Sequence, residues 1–182
     1  MPDPGDELVL VQVGYPSGRQ ALFQTVSTTM VENRSLANLV AGGSLVIIVS
    51  DNGYDACTIR GVEPLEALVP LLPEVPFTRV LRLANRADLG LLANKAAQEA
   101  QMLRFSEAAL TRVRALAGRM RVKSTEFQLD RKRLILFVEN TRRLGFEAFV
   151  ADVHRTCQRE LGLRGVRVFI QRKFVEKLGD YS

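Results

Sequence analysis

Between residues 8 and 14 the chain alternates: Val9, Val11 and Val13 fall on one side, Leu8, Leu10 and Gln12 on the other. A period of two is the mark of a strand, because successive side chains point to opposite faces of a sheet. The alternation breaks at Gly14-Tyr15-Pro16-Ser17-Gly18, and a partner strand is expected at 19–25. After a polar stretch, Gly42-Gly43 opens an apolar run at 44–50. Asp51-Asn52-Gly53 then supplies the positive-φ residues of a tight hairpin, with the return strand at 54–60. Several short strands so close together predict a small twisted barrel or a curled sheet. Pro64, Pro70, Pro73 and Pro76, around residues 65–72, mark a linker or a short packed helix.

Beyond a strand at 79–84 the spacing changes. Asn85 is placed to cap a long helix, with Asp88 in the first turn, where a carboxylate suits the helix dipole. Leu89, Leu92, Ala96, Leu103, Leu110, Val113 and Ala117 recur at heptad-like spacing up to Gly118, the expected stop. Strands are expected at 121–129 and 133–139, around the turn Asp130-Arg131-Lys132. Phe146, Phe149, Val150, Val153, Cys157 and Leu161 make one face of a second helix, ended by Gly162, before a last strand at 166–172. The order β-α-β-β-α-β predicts a ferredoxin-like domain: a four-stranded antiparallel sheet with both helices on one face. The fold class expected is therefore α+β. A small β barrel-like domain spans 1–63, a proline-rich connection 64–78, and the ferredoxin-like domain 79–182.

Composition adds limits. With 182 residues, 47% of them hydrophobic, the chain can bury a core and is no disordered tail. Its longest apolar runs, 45–49 and 134–138, fall far short of the ~20 residues a membrane helix needs. The acidic start, residues 1–7, does not resemble a secretory or transit peptide, so a location in the cytoplasm or inside an organelle is expected. Cys57, Cys157 and the single histidine, His154, have no metal-ligand spacing, and both thiols are expected as reduced core residues. Charge changes the picture most. Residues 1–78 hold three basic side chains against nine acidic ones, whereas 79–182 hold 22 against 11, so the net charge of +5 hides an acidic part and a basic part. Such segregation predicts a polyanionic partner for the C-terminal part.

The expected sheet says where that partner would sit. Burying the more apolar set of each strand puts Leu81, Leu83, Leu134, Leu136, Val138, Val166, Val168 and Ile170 inside. The opposite face then shows Arg82, Arg133, Ile135, Phe137, Arg167, Phe169 and Gln171. Arginine interleaved with phenylalanine is what single-stranded RNA needs, since rings receive bases and guanidinium groups meet phosphate. The same face would equally serve as a surface covered by the N-terminal domain or by a partner protein. Arg104, Arg112 and Arg119 are expected along one side of the long helix, with Glu107 able to pair with Arg104. Arg121, Lys123, Arg131, Lys132, Arg142 and Arg143 make strand ends and loops positive. No phosphate-binding glycine loop, zinc-protease helix pair or nucleophile elbow occurs, and no catalytic residue is assigned. His154 has no placed partner, since Asp152 points elsewhere on a helix. Glu126, Asp130 and Glu139 are the only carboxylates offering an alternative, metal-assisted phosphodiester cleavage.

Four stretches carry a family resemblance. They are Val80-Leu81-Arg82-Leu83-Ala84 with Asp88-Leu89; Glu126-Phe127-Gln128-Leu129-Asp130 with Arg133-Leu134-Ile135-Leu136-Phe137-Val138; Arg143-Leu144-Gly145-Phe146 with Phe149-Val150; and the last strand. Together they resemble the C-terminal domain of the polymerase-suppressor-protein family, which includes bacterial YaaT (RicT) proteins. The N-terminal strands resemble the small barrel that precedes this domain in the family. The resemblance implies RNA metabolism: bacterial relatives are non-enzymatic partners of the mRNA-cleaving machinery, and some protozoan members are linked to RNA binding and endoribonuclease activity. Bacterial members also carry a cysteine-rich segment suited to iron–sulfur ligation, absent from these 182 residues, so no cofactor is expected. The family's Asp before the second-helix Phe is Gly145 here, which removes a capping carboxylate. The leading expectation is a factor of mRNA metabolism that binds RNA, partner proteins, or both, within a ribonucleoprotein or RNA-processing complex. A scaffold subunit without RNA contact and a metal-dependent endoribonuclease are the alternatives.

Overall fold

The computed structural model describes residues 2–50, 53–65, 75–140 and 145–172. It divides into two compact units, Met1–Leu91 and Leu92–Ser182. In the first unit, β1 (Leu8–Gly14) pairs antiparallel with β2 (Gln20–Val26), matching Val11 with Phe23 and Val13 with Ala21. The turn closes through Tyr15 N donating to Arg19 O at 2.8 Å, with Gly18 at φ 86°. Val11 and Val13 are fully buried, so the alternation read from sequence does select the core face. A short β3 (Met30–Val31) and β4 (Arg34–Ser35) lead into α1 (Leu36–Gly42). Ser35 Oγ caps α1 by accepting Asn38 N at 3.3 Å, and Leu36 and Leu39 fill the core. The sequence pattern passed over this helix as a polar stretch, because seven residues give too few turns to show a period.

β5 (Leu45–Ser50) and β6 (Gly53–Pro64) form the expected hairpin, Ser50 opposite Gly53, whose φ of 112° needs glycine. Asp51 and Asn52, like most of the proline-rich stretch, lie outside the described residues. The five-stranded sheet has the order β2-β1-β6-β5-β7. Residues 75–78 meet β2 on the far edge: Gln24 N donates to Pro76 O and Thr78 N donates to Gln24 O, each at 2.9 Å. The sheet thus curls so that its two ends are joined by hydrogen bonds.

Here the structure corrects the sequence reading. β7 (Arg79–Leu83) was expected to open the second domain, but it pairs antiparallel with β5, Ile48 opposite Val80 and Val46 opposite Leu83. Val80 enters the first core, and Leu81, expected inside, is 41% exposed. With β7 committed there, the described residues of the second unit form three strands in the order β10-β9-β8 rather than four. β8 (Met120–Phe127) and β9 (Arg133–Asn140) are antiparallel, while β10 (Arg167–Arg172) runs parallel to β9. The parallel pair follows from the connection: α3 (Glu147–Leu161) carries the chain back across the sheet so that β10 starts where β9 starts. The four-stranded antiparallel ferredoxin-like sheet is therefore not formed among the described residues, although the mixed α and β class holds.

α2 (Arg86–Arg112) begins on a reciprocal cap: Asp88 N donates to Asn85 Oδ1 at 3.1 Å, and Asn85 N to Asp88 Oδ2 at 2.8 Å. It ends at Arg112, before Val113 and Ala117 complete their spacing, and Gly118 lies in a separate turn at φ 71°. Met102, Ala109 and Leu110 of α2 share one core with Phe149, Val153 and Cys157 of α3 and with Leu134, Leu136 and Val138 of β9. Both helices thus cover one face of the three-stranded sheet, as expected. α3 has no side-chain cap at its start, in line with Gly145, and ends on Gly162 at φ 64°. Among the described residues no helix is long and apolar enough to cross a membrane.

Candidate nucleic-acid interface

The helix-free face of the three-stranded sheet is set by register. Row by row it carries Glu126, Ile135 and Phe169, then Ser124, Phe137 and Gln171. A bulge at Lys123 puts that side chain out of the ladder, where its Nζ meets Glu139 Oε2 at 3.0 Å. At the opposite end, the turn after β8 gathers basic groups. Arg131 sits at φ 60°, and its guanidinium donates to Gln98 Oε1 on α2 and to Leu129 O, both at 2.7 Å. Its charge is thereby tied into the fold. Lys132, exposed, has its backbone N held by Asp130 Oδ1 at 3.0 Å, and its carbonyl accepts Arg167 N at 2.9 Å. That bond fastens the start of β10 to the turn.

Arg133 and Arg167 are register partners on β9 and β10. Their guanidinium carbons stand 4.2 and 6.0 Å from the centroid of the Phe169 ring. Lys132, Arg133, Arg167 and one half-buried ring therefore form a compact corner at one end of the sheet. Guanidinium groups keep their charge at any ordinary pH, so the corner is electropositive and suited to an anion.

The other sequence candidates separate into those the structure commits elsewhere and those it leaves exposed. Arg82 belongs to the first unit and grips Asp88 with two hydrogen bonds, at 2.5 and 3.1 Å. These bonds, opposed by burial, hold the Asp88 carboxyl below the usual carboxylate range. Arg112 pairs with Asp152 of α3 at 2.8 Å, the partner that neighbouring helix positions did not provide. Arg119 is not on α2, which has ended; it lies in the turn before β8, so the expected row with Arg104 and Arg112 does not form. Arg104, Arg119 and Arg121 are exposed and make no ion pair among the described residues. Phe137 is 5% exposed, so it is no open stacking platform. Arg142 and Arg143 lie outside the described residues.

The three carboxylates considered for metal-assisted cleavage do not converge. Glu126 is buried opposite Ile135, Asp130 holds the turn, and Glu139 pairs with Lys123 at the far end of the ladder. Among the described residues no three metal-ligating side chains come together. Cys57 and Cys157 are buried free thiols, pushed up to about 12 and about 11 by burial, and so are not thiolate nucleophiles at neutral pH. Sequence reasoning missed a buried brace beneath the corner. Lys95 Nζ meets Glu99 Oε1 at 2.9 Å, and the same oxygen accepts Phe127 N at 2.6 Å. Thr125 Oγ1 donates to Glu99 O at 2.6 Å. A Lys and a Glu four apart on a helix ordinarily read as a solvated pair, and only the fold shows that this one is buried.

Residues 78–166 match the PSP1 C-terminal conserved region. This segment is a PSP1 C-terminal conserved region, the family that the sequence pattern resembles. No curated protein and no solved structure matches the chain. The PSP1 region takes in β7, α2, β8, β9 and α3, and so contains the Arg82–Asp88 clasp, the Lys95–Glu99 brace, Lys132 and Arg133. Arg167 and Phe169 lie just beyond it, and the hydrogen bond from Arg167 N to Lys132 O fastens their strand to the region.

Proposed function

We propose that this protein is a non-enzymatic factor of RNA metabolism, acting in the cytoplasm, that holds single-stranded RNA at the Lys132–Arg133–Arg167 corner. The observation that carries this reading is the gathering of Arg133 and Arg167 around the Phe169 ring at one sheet end, with Lys132 fastened to Arg167 through its backbone. Phosphate contacts would supply the affinity, and the ring offers a place for one base. The site differs from the broad Arg/Phe face expected from sequence, because Phe137 is buried and Arg82 and Arg112 hold acids. Fluorescence anisotropy with a labelled single-stranded RNA at low salt tests it. The double variant Lys132→Ala/Arg167→Ala should bind at least about tenfold more weakly with an unchanged thermal midpoint, two lost charge-assisted contacts being worth that much. Equal binding by both proteins would overturn the reading.

A second role rests on a separate observation. Leu81, Leu89 and Leu91 of the first unit are 41%, 55% and 46% exposed, more apolar surface than a solvated strand and helix start require. They fit docking to a partner protein of an RNA-processing or ribonucleoprotein complex. Co-purification that survives RNase treatment and fails with Leu89→Glu would support this role, and capture insensitive to that change would remove it.

A further inference from the structure

The three-stranded sheet has two outer edges, and they end differently. The β8 edge is closed by α2. Phe127 N, which points away from β9, donates to Glu99 Oε1 at 2.6 Å, and Thr125 Oγ1 donates to Glu99 O at 2.6 Å. β10 ends the sheet on the other side. Its Arg167 N donates to Lys132 O, toward β9, and peptide groups alternate in direction along a strand. The backbone groups of Phe169 and Gln171 therefore also face β9. Those of Val168, Ile170 and Arg172 face outward and have no hydrogen-bond partner among the described residues. Open edges recruit further strands unless a bulge, a proline or charged side chains blunt them. β10 runs six residues in unbroken register with β9, without proline, and its charges stand only at its ends. Its centre is Val168-Phe169-Ile170, and Val168 and Ile170 pack on the helix-covered core while staying half-buried, so apolar surface continues to the rim.

Charge decides which strand fits. Arg167 and Arg172 close the two ends of β10, Arg133 is the register partner of Arg167, and Lys132 is exposed beside them. Neither β10 nor the paired stretch of β9, residues 133–138, holds an acid. A second copy of β10 would bring two such basic clusters together, which like charge opposes. We infer that β10 takes up an extended acidic segment of a partner protein as a fourth strand, joined through the outward peptide groups of Val168, Ile170 and Arg172. Apolar side chains of that segment lie beside Val168 and Ile170, and carboxylates beside Arg167 on the helix-free face. The segment thus alternates acidic with apolar residues, because neighbouring positions on a strand take opposite faces. This role goes beyond the RNA reading, with which it shares only Arg167.

A labelled peptide of about eight residues, glutamate alternating with valine, tests it against the full chain. In the free protein the amides of Val168, Ile170 and Arg172 should exchange with deuterium quickly and that of Phe169 slowly. The peptide should slow the outward set at least about tenfold and leave Phe169 unchanged. The same peptide with lysine for glutamate should bind at least about tenfold more weakly. Arg172→Ala removes a charge, whereas Arg172→Pro removes the charge and an outward donor. The proline variant should therefore bind about 2- to 10-fold more weakly than the alanine variant, at equal thermal midpoints. Outward amides already slow in the free protein would show the edge to be covered and overturn the inference. Slowing that grows with protein concentration alone would assign the edge to a second copy and overturn it too. So would failure of the acidic peptide to bind, or binding that leaves the outward amides unchanged. RNA enters none of these measurements, so the RNA reading stands or falls separately.

Discussion

Arg82 and Arg133 show how differently two arginines of one chain can be used. Arg82 is spent on Asp88, which also accepts Asn85 N and so closes the start of α2. The clasp lowers the Asp88 pKa in the folded state, whereas the unfolded chain titrates near the ordinary value of about 4. The unfolded state therefore takes up the proton more readily. The clasp's contribution to stability is complete above about pH 4 and is lost as pH falls through the folded value. Urea midpoints measured between about pH 6 and about pH 3 should fall less steeply in Asp88→Asn than in the unaltered protein, and parallel curves would contradict the assignment. Arg133 stands over a ring, 4.2 Å from the centroid of Phe169. A guanidinium over Phe at a partly exposed site is worth ~0.5–1 kcal/mol. The cap was legible in the sequence because Asn85 and Asp88 stand at the spacing a helix start requires. The burial of Phe137 was not, because a period of two tells which face a side chain takes and not whether that face is covered.

At the scale of elements, β1 and β5 were legible nearly to the residue, while β6, expected to end at 60, runs on to Pro64. β7 was legible as a strand but not as a member of the first sheet. Its residues satisfy either core, and Val80 rather than Leu81 turns inward only because β5 is its partner. That one pairing reduces the second sheet to three strands and sets β10 directly beside β9. The Lys95–Glu99 brace then locks α2 to the end of β8, with side chains 4% and 14% exposed. Removing one partner of such a pair strands the other charge. Glu99→Ala is accordingly expected to cost about 3–5 kcal/mol in urea unfolding, and to loosen the turn that carries Lys132. Lys95→Met strands the Glu99 carboxylate in turn, but that group keeps the N–H of Phe127 and is the more exposed of the two, so it should cost less. A loss below about 1 kcal/mol for Glu99→Ala would show that Lys95 is not held by that carboxylate alone.

For the whole molecule, the net charge of +5 conceals an acidic stretch at 1–78 and a basic one at 79–182. The structure narrows the basic part further, because internal acids engage Arg82, Arg112 and Lys123, and the amide of Gln98 holds Arg131. The cations at one sheet end, Lys132, Arg133 and Arg167, carry the proposed contact. Each phosphate contact of a single strand contributes a slope of about −0.7 to log K against log salt, so three give about −2. The most direct test is the affinity for a labelled single-stranded RNA measured across a salt series. The account predicts about a 20-fold loss between about 50 and about 200 mM salt, with a slope near −0.7 in Lys132→Ala/Arg167→Ala. A salt-independent affinity, or the same slope in both proteins, would contradict it.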